Sequence, residues 1–374
     1  MNKKKDGIEN KKLKLGIIGF GGFGRFIYQA LFSNSSFCVT AIADNKIDES
    51  VIPDEIQFFR NWEHLCSNAD VDAILISTPP SSHSNIALHF LKRGKHVMVE
   101  KPIAVSLRDA KEILKVAEEN NCVVMVDFMQ RFNPILESIQ SLHSKNLFGD
   151  FERYFVENYA QDETLPLNHW FWDQSISGGI LVEHAVHFID IVHWFSNSPK
   201  IKKVDGYTDS RNQFQMDKMS INVQYENGLL ATHIHSFSRP NIFERTNMRF
   251  IFSTAQFDLK GWIPQEGNFV LLGNDRLAEE LSILPNFAIT DQRKVNSIPV
   301  RGKLYNYDRI IEGNFKAELS KSELYSQALQ KIFNDFHTKI INRAHINRVS
   351  ISDALKAVEV AEIATQTASA TFQY

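Results

Sequence analysis

At 374 residues, 43% apolar and 23% charged, the chain has the composition of a soluble globular protein and is too long for one compact core, so two domains are expected. Lysine and arginine number 41 against 44 acidic residues, a net charge of −3, which gives no global positive field for nucleic acid or an anionic membrane and favours small-molecule chemistry. Cys38, Cys66 and Cys122 are odd in number, widely separated and without a CxxC pair, which argues against zinc or dithiol exchange and fits a reducing compartment.

Residues 1–14 are a Lys- and Asn-rich polar stretch without an apolar h-region, so no secretory signal is expected. No later segment reaches about 18 uninterrupted apolar residues, so no membrane span is expected and the cytoplasm is the default location. From residue 12 the pattern becomes strand (14–20), glycine turn and helix (23–32), then strand 37–43 ending at Asp44. The run 72–77 is apolar throughout, as in a strand covered on both faces, and Pro79-Pro80 stops it. A helix over 85–93 with Gly94 at its C-terminus, a strand at 96–99, a helix over 106–120 and a strand at 122–128 complete the alternation of a doubly wound parallel sheet.

Beyond Arg131 the texture changes to longer alternating stretches at 151–159, 219–225, 229–235 and 248–259, read as mainly antiparallel strands. Helices are expected over 179–195, 323–342 and 352–370. The fold class is therefore an α/β Rossmann domain with a doubly wound parallel sheet (12–131), followed by an α+β domain with a mainly antiparallel sheet (132–374). The closing helix is free to pack back on the first domain.

Three clusters carry chemistry. Gly19-Phe20-Gly21-Gly22-Phe23-Gly24 follows a strand and opens a helix, where the first glycine permits the tight turn and the others let backbone N–H groups approach a pyrophosphate. Asp44, 20 residues after Gly24, ends the second strand, where a carboxylate accepts ribose hydroxyls and repels a 2′-phosphate. NAD is thus the expected cofactor, with Lys46 and Arg25 leaving NADP possible. The bland alternative is a structural glycine turn with a surface aspartate.

Glu100-Lys101-Pro102 lies at the end of another parallel strand, where a lysine can donate to a substrate oxygen and Glu100 can hold it in place. The alternative is a surface ion pair. In the stretch from Gly178 to Asp190, Glu183 and His187 share a helix face at i and i+4 and Asp190 extends the stripe, an arrangement suited to an oriented acid–base histidine. A helix-stabilising pair competes with that reading. Metal ligation is disfavoured, because zinc helices read HExxH and this one reads EHxxH. His169-Trp170-Phe171-Trp172-Asp173 can supply an aromatic floor for a sugar ring, or simply belong to the core.

The glycine turn, Asp44, residues 78–83 (Thr-Pro-Pro-Ser-Ser-His), residues 94–102 and the 178–190 cluster together resemble the Gfo/Idh/MocA oxidoreductase family. Arg131-Phe132-Asn133-Pro134 looks like that family's domain junction and residues 349–370 like its closing helix, so the resemblance spans nearly the whole chain. It implies a Rossmann domain, a second domain with a large sheet whose open face commonly forms a homodimer or homotetramer interface, and a cleft between them. It implies cofactor contacts from Gly19, Gly21, Gly22, Phe23, Gly24, Asp44, Thr78, Pro79, His83, Glu100 and Lys101. It also implies catalysis by Lys101 and His187, with Glu183 as the acidic partner and Lys101, Trp172, Glu183, His184 and His187 against a sugar, cyclitol or sugar acid.

One departure stands out: family members often carry Asp four residues before the histidine, and the longer Glu183 can shift its partner from His187 to the substrate. For His184 a structural role is the alternative. Two other functions stay open, an oxidation–elimination glycosidase with no net redox and a non-catalytic dinucleotide-dependent sugar sensor.

Overall fold

The computed structural model describes residues 12–370 except 33, 35, 161–164, 213–214 and 301–302. Most of the N-terminal stretch read above for a leader, residues 1–11, lies outside the described residues.

The first domain forms as its hydrophobic runs require. Strands β1 (Leu13–Ile18), β2 (Phe37–Ala43), β3 (Gln57–Phe59), β4 (Ala73–Ile76), β5 (His96–Val99) and β6 (Val124–Val126) make one parallel sheet in the order β3-β2-β1-β4-β5-β6. Four apolar residues in a row in β4 are all buried, as a strand covered on both faces demands. Helices α1 (Gly22–Leu31), α2 (Trp62–Asn68), α3 (His83–Leu91) and α4 (Leu107–Glu119) are the crossovers. Ser106 starts α4 by accepting from the Asp109 N–H, which satisfies one of the donors a helix start leaves free. The sheet's strand order reverses beside β1, so the carboxyl ends of β1, β2, β4 and β5 open onto one crevice.

The second domain begins with α5 (Pro134–Ser144), Pro at the first helical position and Asn133 capping it. Its nine-stranded sheet takes β7 (Phe151–Tyr159), β8 (Ile201–Asn212), β9 (Gln215–Tyr225), β10 (Leu230–Ser236), β11 (Arg245–Phe252), β12 (Ala255–Lys260), β13 (Glu266–Gly273), β14 (Phe287–Lys294) and β17 (Arg309–Lys316). A separate hairpin of β15 (Ile298–Val300) and β16 (Lys303–Tyr305) hangs from it. The order is β14-β17-β13-β12-β11-β7-β10-β9-β8, antiparallel except for the β7–β10 pair. The single strand expected over 248–259 is two, because the chain turns at Ser253-Thr254. Buried Phe250 and Phe252 precede the turn and buried Ala255 and Phe257 follow it, so apolar alternation crosses the bend with only a one-residue slip and hides it from a pattern reading.

A helical run fills the space between this sheet and the closing helices: α6 (Gln174–Ser177), a π-helical turn (Leu181–Ala185) and α7 (Val186–Ser196), with α8 (Asp275–Ser282) at the sheet's far end. By length and composition the run Gln174–Ser196 is apolar enough to cross a membrane; here it is mostly buried inside the protein, as a core helix is. Helix α9 (Lys321–Ile341) packs on α1, and α10 (Ile351–Ala370) packs on β8, α7 and also α4. Both closing helices therefore touch the first domain. The Leu107 N–H donates to Glu362 of α10 at 3.3 Å, and Asn34 bonds Asn334 of α9 at 3.1 Å.

Candidate active site

A cleft of about 870 Å³ lies along the carboxyl lip of the parallel sheet and is closed on its far side by the second domain. The order β2-β1-β4-β5 spreads its residues along the lip: Asp44 after β2 at one end, the glycine turn after β1, Thr78 and Pro79 after β4, and Glu100 and Lys101 after β5 at the other.

The first half is built from backbone. Gly19 adopts φ +88°, and a Cβ there would stand 2.3 Å from the Ser77 carbonyl. Gly24 does not face the opening; a Cβ on it would lie 2.2 Å from the Gly19 carbonyl, so this glycine lets α1 seat on the turn. At Gly21 and Gly22 nothing lies within 4 Å of a Cβ position, and no side chain caps α1. The unbonded N–H groups of that first turn border an open space, and the residues fit the pyrophosphate of a dinucleotide. Asp44 accepts from the Phe20 N–H at 2.7 Å through one oxygen and from Lys46 and Ile47 N–H groups at 2.8 and 3.0 Å through the other. Burial works to raise its pKa, but these backbone donors outweigh it and hold the carboxylate below its ordinary range.

Two residues expected here point elsewhere. His83 is buried, its ring nitrogens each 2.7 Å from a carbonyl, those of Pro102 and Thr78, so it latches the post-β4 loop to the post-β5 loop and does not reach the cleft. Arg25 folds back on the turn, donating to the Phe20 carbonyl at 3.1 Å, while Lys46 and Arg60 line the cleft.

The second half is built from side chains. Lys101 Nζ donates to Glu183 Oε1 at 2.6 Å and to the Glu183 carbonyl at 2.8 Å, a pair only 16% and 12% exposed. An ammonium has three N–H donors, so one remains for a substrate oxygen. Glu183 thus pairs with Lys101 and not with His187. Glu183 lies inside the π-helical turn and His187 in the α-helix that follows it. His187 lines the same cleft and is 4% exposed, with its ring edge-on to Trp262 at 4.9 Å and to Phe128 at 6.0 Å. Burial foremost, then the Lys101 charge and His184, push its pKa well below the ordinary histidine value, so the imidazole is neutral at physiological pH.

Other expected residues turn inward. His184 Nε2 pairs with Asn158 Oδ1 at 2.7 Å, and its ring stacks on Trp262 away from the opening. Burial lowers it to about 3. Trp172 packs against Phe171 and Phe237 in the core, and its neighbour Trp170 lines the cleft instead. Asp190 does not extend an acid–base stripe; it is fully buried and clamped by Arg131 Nε and a terminal nitrogen at 2.8 and 2.6 Å. Glu100 lines the cleft but does not hold Lys101; it lies against Asp127. Among the described residues no group of three or more His, Cys, Asp or Glu is placed to hold a metal ion.

Trp262, from the β12–β13 turn, and Tyr325, from α9, are cleft residues that no local motif marks. Their one legible signal is a large aromatic beside a turn or helix start, which core residues share.

Residues 13–128 match the model of the GFO_IDH_MocA oxidoreductase family, NAD-binding Rossmann fold, and residues 137–371 match that family's C-terminal alpha/beta domain. The chain is 26% identical over 241 residues to 4-carboxy-2-hydroxymuconate-6-semialdehyde dehydrogenase of Sphingobium, covering 60% of this chain and 72% of that one. It is 24% identical over 184 residues to inositol 2-dehydrogenase of Rhizobium meliloti, covering 49% and 54%. Matches to the curated relatives span as little as 35% of the relative's length. In fold it resembles the WlbA dehydrogenase of Bordetella pertussis, crystallised with NADH and UDP-GlcNAcA, with a TM-score of 0.75 at 14% identity over 98% of both chains.

Proposed function

The chain belongs to the Gfo/Idh/MocA oxidoreductase family, and on that premise we propose that it is an NAD(P)-dependent dehydrogenase or reductase acting on a secondary alcohol or ketone of a sugar, cyclitol or sugar acid. The observation that carries this reading is the Lys101–Glu183 pair, fixed in the same cleft as His187, Asp44 and the glycine turn. A nicotinamide bound along the lip supplies hydride exchange with the substrate carbon. Lys101 donates to the substrate oxygen through its remaining N–H and stabilises negative charge there. Neutral His187 takes the hydroxyl proton in oxidation and returns it in reduction. Trp170 and Trp262 exclude water from the reacting end and offer flat faces to a ring. Asp44 favours NAD over NADP through its fixed negative charge.

The test is the 340 nm absorbance of the purified protein with NAD or NADP and a panel of cyclitols, aldoses and sugar acids. Turnover that disappears in Lys101→Ala supports the reading. Silence with every substrate and both cofactors sinks it, and aglycone release without net NADH replaces it with an elimination mechanism.

We further assign residues 12–131 to cofactor binding and 132–374 to substrate binding and self-association. The outward face of the nine-stranded sheet leaves Phe155, Tyr207 and Val270 exposed, which supports pairing with a second copy as a homodimer or homotetramer. Light scattering that returns a monomer mass would remove that assignment. Three unpaired cysteines suit the reducing cytoplasm.

A further inference from the structure

The cleft's floor contains a charge arrangement that the reaction outlined above does not use. Strands β5 and β6 are neighbours with Val99 opposite Val126, so the next residues, Glu100 and Asp127, emerge side by side at the carboxyl lip. The Asp127 N–H donates to the Val99 carbonyl at 3.0 Å and fixes that register. Both side chains are buried, at 8% and 3% exposure, and their carboxyls lie in hydrogen-bond contact with each other. Glu100 Oε1 and Asp127 Oδ1 are buried without a donor among the described residues. Two carboxyl groups in contact in such a place cannot both be ionised, because the like charges repel and neither is solvated.

The charged and titratable groups facing the pair are Lys101 from the loop after β5, Glu183 from the π-helical turn and Tyr325 from α9. Lys101 is itself committed to Glu183, so its charge is already matched. Burial lifts Asp127 to about 6 and pushes Glu100 well above the usual carboxylate range, so one proton is retained and one negative charge remains near neutral pH.

We propose that Glu100 and Asp127 share a single proton and act as a one-charge counter-ion beneath the nicotinamide end of the cleft, favouring the cationic oxidised cofactor over the neutral reduced one. This rests on the reading of the cleft as a dinucleotide site with Lys101 at its reacting end. Glu100 adjoins Lys101 in sequence and lines the cleft itself, so the pair sits under the end where oxidised and reduced cofactors differ in charge. The adenosine and pyrophosphate are common to both forms. The ratio of the two dissociation constants therefore isolates this interaction.

The experiment is equilibrium binding of NAD and NADH to the full chain without substrate, by calorimetry or quenching of tryptophan fluorescence, between pH 5 and 8. In the unsubstituted protein, NAD binding weakens relative to NADH as the pH falls and the pair takes its second proton. The double substitution Glu100→Gln with Asp127→Asn removes the charge; it should weaken NAD relative to NADH by about tenfold at pH 7.5, the order expected for one partly screened charge at short range. It should also flatten the pH dependence of the ratio. Glu100→Gln alone replaces the protonated partner by a neutral amide and leaves Asp127 ionised, so it should keep the ratio at pH 7.5 close to that of the unsubstituted protein. A ratio that is pH-independent in the unsubstituted protein, or unchanged in the double variant when it still binds both forms, overturns the proposal while leaving the dinucleotide site intact. Failure of the unsubstituted protein to bind either form overturns both.

Discussion

Two ion pairs tie the central helical run to the first domain, and they differ in what they leave over. Arg131 and Asp190 are 4% and 0% exposed and joined by two parallel hydrogen bonds, while Arg131 also reaches the Arg348 carbonyl at 2.8 Å and Asp353 at 3.3 Å. Its planar fork is nearly saturated, and burial lifts Asp190 only to about 6, so the pair stays charged at neutral pH. Lys101 and Glu183 use one short contact between side chains and one to the main chain, on the wall of an open cleft. A saturated pair in a closed site can only hold structure; an ammonium with a spare donor beside a cavity can act on something that enters.

The largest way to break that contrast is Lys101→Ala, expected to lower kcat by about 100- to 10,000-fold, the usual range for a positioned proton-handling group, with NAD affinity retained. Steady-state kinetics beside a cofactor titration checks it; equal loss in both would make Lys101 a structural residue like Arg131. Next is Arg131→Ala, which strands Asp190 in the core and should cost about 3–5 kcal/mol of stability, read by urea denaturation. Loss of turnover with the urea midpoint unmoved would reverse the distinction. Glu183→Gln keeps the carbonyl contact to Lys101 but removes the counter-charge, and about a tenfold fall in kcat is expected, with most of it restored in Glu183→Asp if charge and not length is what matters.

Smallest per residue is an acid effect. His184, His187, His193, His233 and His235 are buried, and burial pushes each below the ordinary histidine pKa, His184 and His193 to about 3. Unfolded histidine protonates near 6.5, so below that pH the unfolded chain binds more protons and stability falls toward the folded values. Glu100, pushed well above the carboxylate range, and Asp127 and Asp190, lifted to about 6, act in the opposite sense, but the histidines outnumber them. The urea midpoint should drop between pH 7 and pH 5. A flat profile would mean that these rings are protonated in the fold.

The parts of the site made of backbone were legible because a tight turn constrains its own sequence: Gly19 and Asp44 are demanded locally, and the run of strand, turn and helix gives them a place. The parts made of side chains were legible as residues but not as directions. Glu183 and His187 both stand out in the sequence, yet the carboxylate turns to Lys101, 82 residues away, a tertiary contact that no local pattern marks. His184 turns to Asn158, another tertiary partner, and Trp170, two residues before Trp172, is the one at the cleft. Trp262 and Tyr325 lie outside any motif because tertiary packing alone brings them there. The hairpin at Ser253-Thr254 was missed for a related reason, since alternation survives a tight turn.

The packing of α9 against the first domain has a consequence for synthesis on the ribosome. Phe37 at the start of β2 is covered by Phe333 and Phe336, with ring centroids 5.8 Å away in each case, and Tyr325 closes over Phe23 and Phe26 of α1. A nascent chain that has finished all six strands of the parallel sheet still shows that aromatic surface bare, through some two hundred further residues of translation. The intervening domain must emerge and fold while its predecessor waits for a cover, which makes this seam the point at which a stalled or shortened chain becomes adhesive.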